Sequence, residues 1–225
     1  MNGKRRILVV NPNSSVAVTQ DIDAALEPLR TKGGPEIACA TLAEGPPGIQ
    51  TEMHTVDVVA PLCALVKRED NTTDAFVIAC FSDPGLYPAR ETTAKPVIGI
   101  MNAGMATAMN LAGRVGVIAI LPQSIPRHLR NFRAMGIIDR VAGDRAVGLN
   151  VVDLADEGRT LDKMIVTGRA LKEQDGANAI VMGCAGMARY RARMEDALGI
   201  PVVDPTQAAV AMALGAVACG WRTQQ

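Results

Sequence analysis

Ala75-Phe76-Val77-Ile78-Ala79-Cys80-Phe81-Ser82-Asp83-Pro84-Gly85 reads as a buried strand that runs into a cysteine turn. Its first five residues form a short apolar run, and Pro84-Gly85 marks a turn. A counterpart follows about 105 residues on: Ala179-Ile180-Val181-Met182-Gly183-Cys184-Ala185-Gly186-Met187. Each turn precedes a stretch able to start a helix. This predicts each cysteine at the carboxyl end of a strand, beside a helix N-terminus whose backbone N–H groups and dipole favour a thiolate. Two cysteines in equivalent places predict one site with two matched acid/base groups.

The surrounding sequence supports the equivalence. Cys80 is followed by Lys95-Pro96-Val97-Ile98-Gly99-Ile100, and Cys184 by Ile200-Pro201-Val202-Val203-Asp204-Pro205. Ala/Met-rich helices follow both, Ala103 to Leu111 and Gln207 to Ala218. Arg6-Ile7-Leu8-Val9-Val10-Asn11-Pro12-Asn13 corresponds to Arg114-Val115-Gly116-Val117-Ile118-Ala119-Ile120-Leu121-Pro122. The period is too long for a solenoid and predicts two related lobes.

Strands and helices alternate through both halves. In the first, strand Ile7–Val10 meets Asn11-Pro12-Asn13-Ser14-Ser15, where Ser14 or Ser15 caps a helix over Val16–Leu29. A strand over Glu36–Thr41, the Gly45-Pro46-Pro47-Gly48 loop and a long helix over Thr51–Glu69 come next. In the second, a strand over Val115–Ile120 leads to a basic helix over Arg127–Met135. A strand over Ala146–Val152 and a helix over Thr160–Gln174 follow. This order predicts an α/β fold of two pseudo-symmetric lobes, each a short, mostly parallel sheet flanked by helices. Residues 1–98 with 206–225 form the first lobe and 99–205 the second. Ligands bind beyond the carboxyl ends of such strands, so the site is expected in the cleft between the lobes.

The composition bounds the function. The 225 residues carry no net charge, with 23 Lys+Arg against 23 Asp+Glu, so no basic face is expected for nucleic acid. Aromatics are 3%, which leaves little stacking surface for bases. The apolar run after the basic start ends at Asn11-Pro12, too short for a signal peptide or membrane span, and the Ala-rich stretch before Trp221 reads as a packed helix. The five cysteines form no disulfide framework and no zinc motif, which predicts free thiols in a reducing cytoplasm and no metal.

The four segments Val10–Ser15, Ala79–Leu86, Pro96–Ile100 and Gly183–Ala188, in this order, resemble the aspartate/glutamate racemase superfamily, in particular its hydantoin and allantoin racemase branch. The resemblance implies racemisation without a cofactor at an acidic carbon beside a carbonyl, by two cysteines on opposite faces of a small-molecule substrate. Cys80 and Cys184 would be the two bases. Asn13 and Ser14 would hold the substrate, and Ser82, Gly183, Ala185 and Gly186 flank the cysteines where carbonyl oxygens would bind. The chain departs from the family at Asn102, where relatives often carry an acid, and at Ala119-Ile120, where they often carry Thr-Thr. A homo-oligomer is expected. The alternatives are a small-diacid decarboxylase, a maleate-type cis-trans isomerase, or a non-catalytic binding protein on the same scaffold.

Other residues have plainer readings. Cys39, Cys63 and Cys219 lie in apolar settings and are expected to be core thiols. Asp83, before Pro-Gly, reads as a turn or cap residue. His54 and His128 read as surface or satisfied helix positions, and Arg127, Arg130 and Arg133 as one solvated helix face.

Overall fold

The structure, a computed structural model, describes residues 5–149 and 156–223. The chain divides into two compact α/β units, residues 1–103 with 206–225 and residues 104–205. In the first, strands β1 (Arg6–Asn11), β2 (Glu36–Thr41), β3 (Ala75–Ile78) and β4 (Val97–Gly99) form one sheet in the order β2-β1-β3-β4. In the second, β5 (Val115–Ala119), β6 (Val141–Ala146), β7 (Ala179–Gly183) and β8 (Val202–Val203) take the equivalent order β6-β5-β7-β8. Every pairing is parallel. The inner strands are buried along their length, which is why they read as unbroken Val, Ile and Ala runs rather than alternating ones.

Helices α1 (Val16–Ala25), α2 (Glu52–Asp57), α3 (Val59–Glu69) and α4 (Leu86–Glu91) connect the first sheet, and α5 (Ile100–Leu111) leaves it. The second unit adds α6 (Ile125–Ala134), α7 (Glu157–Glu173) and α8 (Arg191–Leu198). The final helix, α9 (Pro205–Cys219), belongs mostly to the first unit, where Gln207 donates to the Ala25 carbonyl at 2.7 Å. Ser15 is the serine that caps α1, accepting the Val18 N–H. In the first unit Leu8, Val10, Leu62, Val66, Phe76 and Ile78 are sealed in one apolar cluster. No helix among the described residues is long and apolar enough to cross a membrane.

Three expectations are corrected. The helix over Thr51–Glu69 is two helices that break at Val58, because Pro61 has no N–H to donate back to the Asp57 carbonyl. The strand expected over Ala146–Val152 lies earlier, at Val141–Ala146, and residues 150–152 fall outside the described residues. This edge strand admits Arg145, which is partly exposed and paired with Asp175, and Asp144, whose side chain is buried and paired with His128. The arginine series is not one solvated face: Arg127 is buried, while Arg130 and Arg133 are exposed.

Candidate active site

In a sheet of order 2-1-3-4 the connections leave the two central strands in opposite directions, so their carboxyl ends border an open crevice. In the first unit that crevice lies beyond β1 and β3. The Asn13-Ser14 turn follows β1 and the Cys80 turn follows β3, so Asn13, Ser14, Cys80 and Ser82 share one sheet edge. In the second unit Gly183 ends β7, and Cys184, Ala185 and Gly186 follow it at the equivalent edge.

The first turn is held by Asn11. Its fully buried side chain donates to Asn13 Oδ1 at 3.0 Å, to the Ser15 carbonyl at 3.2 Å and to Thr19 Oγ1 at 3.0 Å. Asn13 Oδ1 also accepts the Ser15 N–H at 2.9 Å, so one side of this amide is committed to turn geometry. The Ser14 N–H donates to the Pro46 carbonyl at 3.0 Å. A Cβ on Gly45 would come within 2.3 Å of the Pro12 carbonyl, so the Gly-Pro-Pro-Gly loop packs directly on this turn. Sequence reading missed Asn11 as the organiser, although a buried asparagine at a strand end needs hydrogen-bond partners.

In the Cys80 turn the Cys80 carbonyl accepts the Ser82 N–H at 2.8 Å and the Asp83 N–H at 3.0 Å. Ser82 Oγ donates to the Phe81 carbonyl at 2.9 Å. The Ser82 backbone donor is therefore engaged within the turn. Asp83 is a cap, as its sequence context predicts, and it caps a distant helix. Its carboxylate accepts from the Met101 N–H at 2.8 Å, the Asn102 N–H at 2.9 Å and Asn102 Nδ2 at 2.6 Å, all at the start of α5. Burial pushes its pKa up to about 6, against the pull of these donors and of the Arg90 charge.

The raised pKa of Asp83 makes stability depend on pH. Between about pH 4 and 6 the folded chain holds a proton on Asp83 that the unfolded chain has released. This contribution to stability is present at low pH, declines as pH rises through that window, and levels off above it, a change on the order of 2–3 kcal/mol. Urea unfolding of wild type and Asp83→Asn at a series of pH values checks it. The wild-type advantage should shrink from pH 4 to 6 and then stay flat; a constant difference rejects the assignment.

The second cysteine turn corrects an expectation. Cys184 is followed by a 3₁₀ segment, Ala185–Tyr190, and α8 starts only at Arg191. The Gly186 N–H reaches the Cys184 sulfur and favours its thiolate, but burial and the nearby Asp204 charge prevail and push the pKa up to about 11. Cys184 rests as a thiol, not as the thiolate that a helix N-terminus alone would give. Gly183 has a packing reason: a Cβ there would stand 2.6 Å from the Ile118 carbonyl, in the body of β5.

The remaining cysteines differ. Burial and a hydrogen bond to Asp23 push Cys39 up to about 12. Burial and Glu91 raise Cys63, and Cys219 is exposed rather than set in the core. His54 accepts the Gln50 N–H, and His128 is buried against Asp144. No group of three or more potential metal ligands occurs among the described residues.

Residues 7–213 match the family model described as Asp/Glu/Hydantoin racemase. The hydantoin racemase of Paenarthrobacter aurescens is 36% identical over 225 residues, covering 98% of this chain and 94% of its own. The allantoin racemase structure from Klebsiella pneumoniae is 33% identical with a TM-score of 0.90, covering 98% of this chain and 91% of that one. The allantoin racemase structure from Pseudomonas fluorescens is 28% identical with a TM-score of 0.93, covering 97% and 93%.

Proposed function

The chain belongs to the Asp/Glu/hydantoin racemase family, and we propose that it is a cofactor-independent racemase of a hydantoin-like or allantoin-like cyclic ureide, with Cys80 and Cys184 as its acid/base pair. The observation that carries this reading is the repeated placement of a cysteine turn after the third strand of each sheet, at the switch-point edge.

The chemistry fits two thiols. One sulfur, as thiolate, removes the proton from the ring carbon beside a carbonyl, and the electron pair moves into that carbonyl as an enolate. The other sulfur, as thiol, returns a proton to the opposite face. The first sulfur ends protonated and the second ionised, so the pair is set for the opposite enantiomer. The high pKa of Cys184 supports a resting state in which this sulfur is the thiol that donates a proton. Asn13, Ser14, Ser82, Gly183, Ala185 and Gly186 are the proposed substrate contacts. A neutral ring suits the site better than a free dicarboxylate, because carboxylates stand at both cysteine turns: Asp83 within the first and Asp204 beside Cys184.

Incubation in deuterated water with hydantoins, allantoin, aspartate and glutamate, with no cofactor added, tests the reading. Deuterium entry at the stereocentre of a cyclic ureide, with loss of optical rotation, is expected. Exchange confined to the free amino acids would reject the substrate class, and decarboxylation without racemisation would reject the reaction. Ser82→Ala is expected to slow turnover about tenfold, the worth of one hydrogen bond in the transition state, with little change in melting temperature. A lowered melting temperature with unchanged kinetics would make Ser82 only a turn residue.

A further inference from the structure

Asp83 sits three residues after Cys80 with φ 46°, the one described non-glycine residue in the left-handed region. Aspartate enters this region more readily than most side chains, and at Asp83 the surrounding bonds fix it there. The constraints here are explicit. The Asp83 N–H is bonded to the Cys80 carbonyl, and the Asp83 carbonyl accepts the Leu86 N–H at 3.2 Å. Its carboxylate takes the Met101 and Asn102 N–H groups, two of the donors that the first turn of α5 cannot satisfy internally. Asn102 adds its side-chain amide to the same Oδ2. Gly99 makes room: a Cβ there would fall 2.2 Å from the carboxyl carbon of Asp83. A single side chain thus joins the backbone that carries Cys80 to the N-terminus of the next long helix.

The second half of the chain is built differently. The residue that corresponds to Gly99, third after the proline, is Asp204, which directly precedes α9. There the carboxylate belongs to the strand end. In the first half it comes from the cysteine turn itself, three residues after Cys80.

We propose that Asp83 is a positioning residue, with Asn102 as its partner: the Asp83–α5 clamp fixes where the Cys80 sulfur stands for proton transfer. This rests on the reading of Cys80 as an acid/base group. The same geometry accounts for an amide at Asn102, because Asn102 Nδ2 donates to Asp83 where a second carboxylate would repel it.

The test uses Asp83→Asn, with Asn102→Ala as the milder variant that keeps the carboxylate and both backbone donors. Two readouts are taken on the full chain: turnover of a ureide, and alkylation of Cys80 and Cys184 by iodoacetamide, followed by mass spectrometry. In Asp83→Asn one amide hydrogen faces the Asn102 donors, and the negative charge beside the turn is lost. Cys80 alkylation should rise about tenfold, while kcat falls about tenfold to a hundredfold with KM little changed. Cys184 alkylation stays within about twofold of wild type, the limit adopted for an unaffected thiol. Asn102→Ala should move both Cys80 readouts the same way by a smaller factor, and it decides the matter if Asp83→Asn does not fold.

Reactivity and turnover moving in opposite directions is the signature of lost positioning. Equal acceleration at both cysteines would mean general loosening and overturns the proposal. Lost turnover with unchanged Cys80 alkylation would make Asp83 a proton-transfer group, and faster alkylation with full turnover would make the clamp irrelevant to catalysis; each overturns it. If the wild type racemises no ureide, the functional reading fails by itself. The alkylation comparison then still reports whether Asp83 governs Cys80.

Discussion

Replacement of either Cys80 or Cys184 by alanine is expected to end racemisation, with a loss on the order of 10²–10⁴, while each variant still exchanges the Cα proton of one enantiomer in deuterated water. A single sulfur removes and returns a proton only on its own face, so exchange survives where inversion does not. The residual activity that depends on Cys184 should carry a marked pH dependence. The Cys80→Ala variant relies on Cys184, whose thiol is pushed up to about 11. Its exchange should therefore climb about tenfold per pH unit through neutrality and beyond, tracking the thiolate fraction. The enantiomer that exchanges must also switch between the two variants. Optical rotation and proton NMR, read in parallel, check all three points. Full racemisation by either variant would mean that another group serves as base, and exchange of the same enantiomer by both would mean that the sulfurs do not act on opposite faces.

The elements visible in the sequence are those whose reasons are local. Glu36–Thr41 is a strand with the bounds that its apolar content implies, and α1 begins where a serine can cap it. Both cysteine turns stand at strand ends because an unbroken apolar run followed by Gly, Ser or Pro has few other readings in a parallel sheet. What escaped the sequence depended on distant partners. Asp83 reads as a turn residue, and nothing within its own segment says that its carboxylate reaches Met101 and Asn102. The thiol state of Cys184 is not legible, because a helix dipole is read from sequence order, whereas burial and the approach of Asp204 are not. The edge strand β6 was misplaced because Gly143, Asp144 and Arg145 carry the polar pattern of a loop. Its β5 pairing supplies the order that the residues themselves do not encode.

The same strand carries Asp144, a partner of His128. His128 Nδ1 lies 2.8 Å from Asp144 Oδ2, with the side chains only 2% and 1% exposed. The pair ties α6 to β6, and the His128 ring also stands beside Phe132 at a centroid distance of 6.2 Å. Burial raises the pKa of Asp144 and the bond to His128 opposes that rise, so the imidazole keeps a carboxylate tolerable in the interior. Removal of His128 leaves the Asp144 carboxylate buried without the bond that offsets its burial, which typically costs about 3–5 kcal/mol, and removal of Asp144 breaks the same buried pair. His128→Ala and Asp144→Ala are each expected to lower the melting temperature by roughly 10 °C. The double replacement His128→Leu/Asp144→Leu should recover part of that loss, because an apolar pair carries no desolvated charge. Below its melting temperature each single variant should keep the enantiomer exchange of wild type, since this pair belongs to neither cysteine turn. Melting curves paired with exchange rates check the prediction. Single variants within about 1 kcal/mol of wild type would show that the pair contributes no more than a surface contact. Lost exchange in a folded variant would instead give His128 or Asp144 a part in the chemistry.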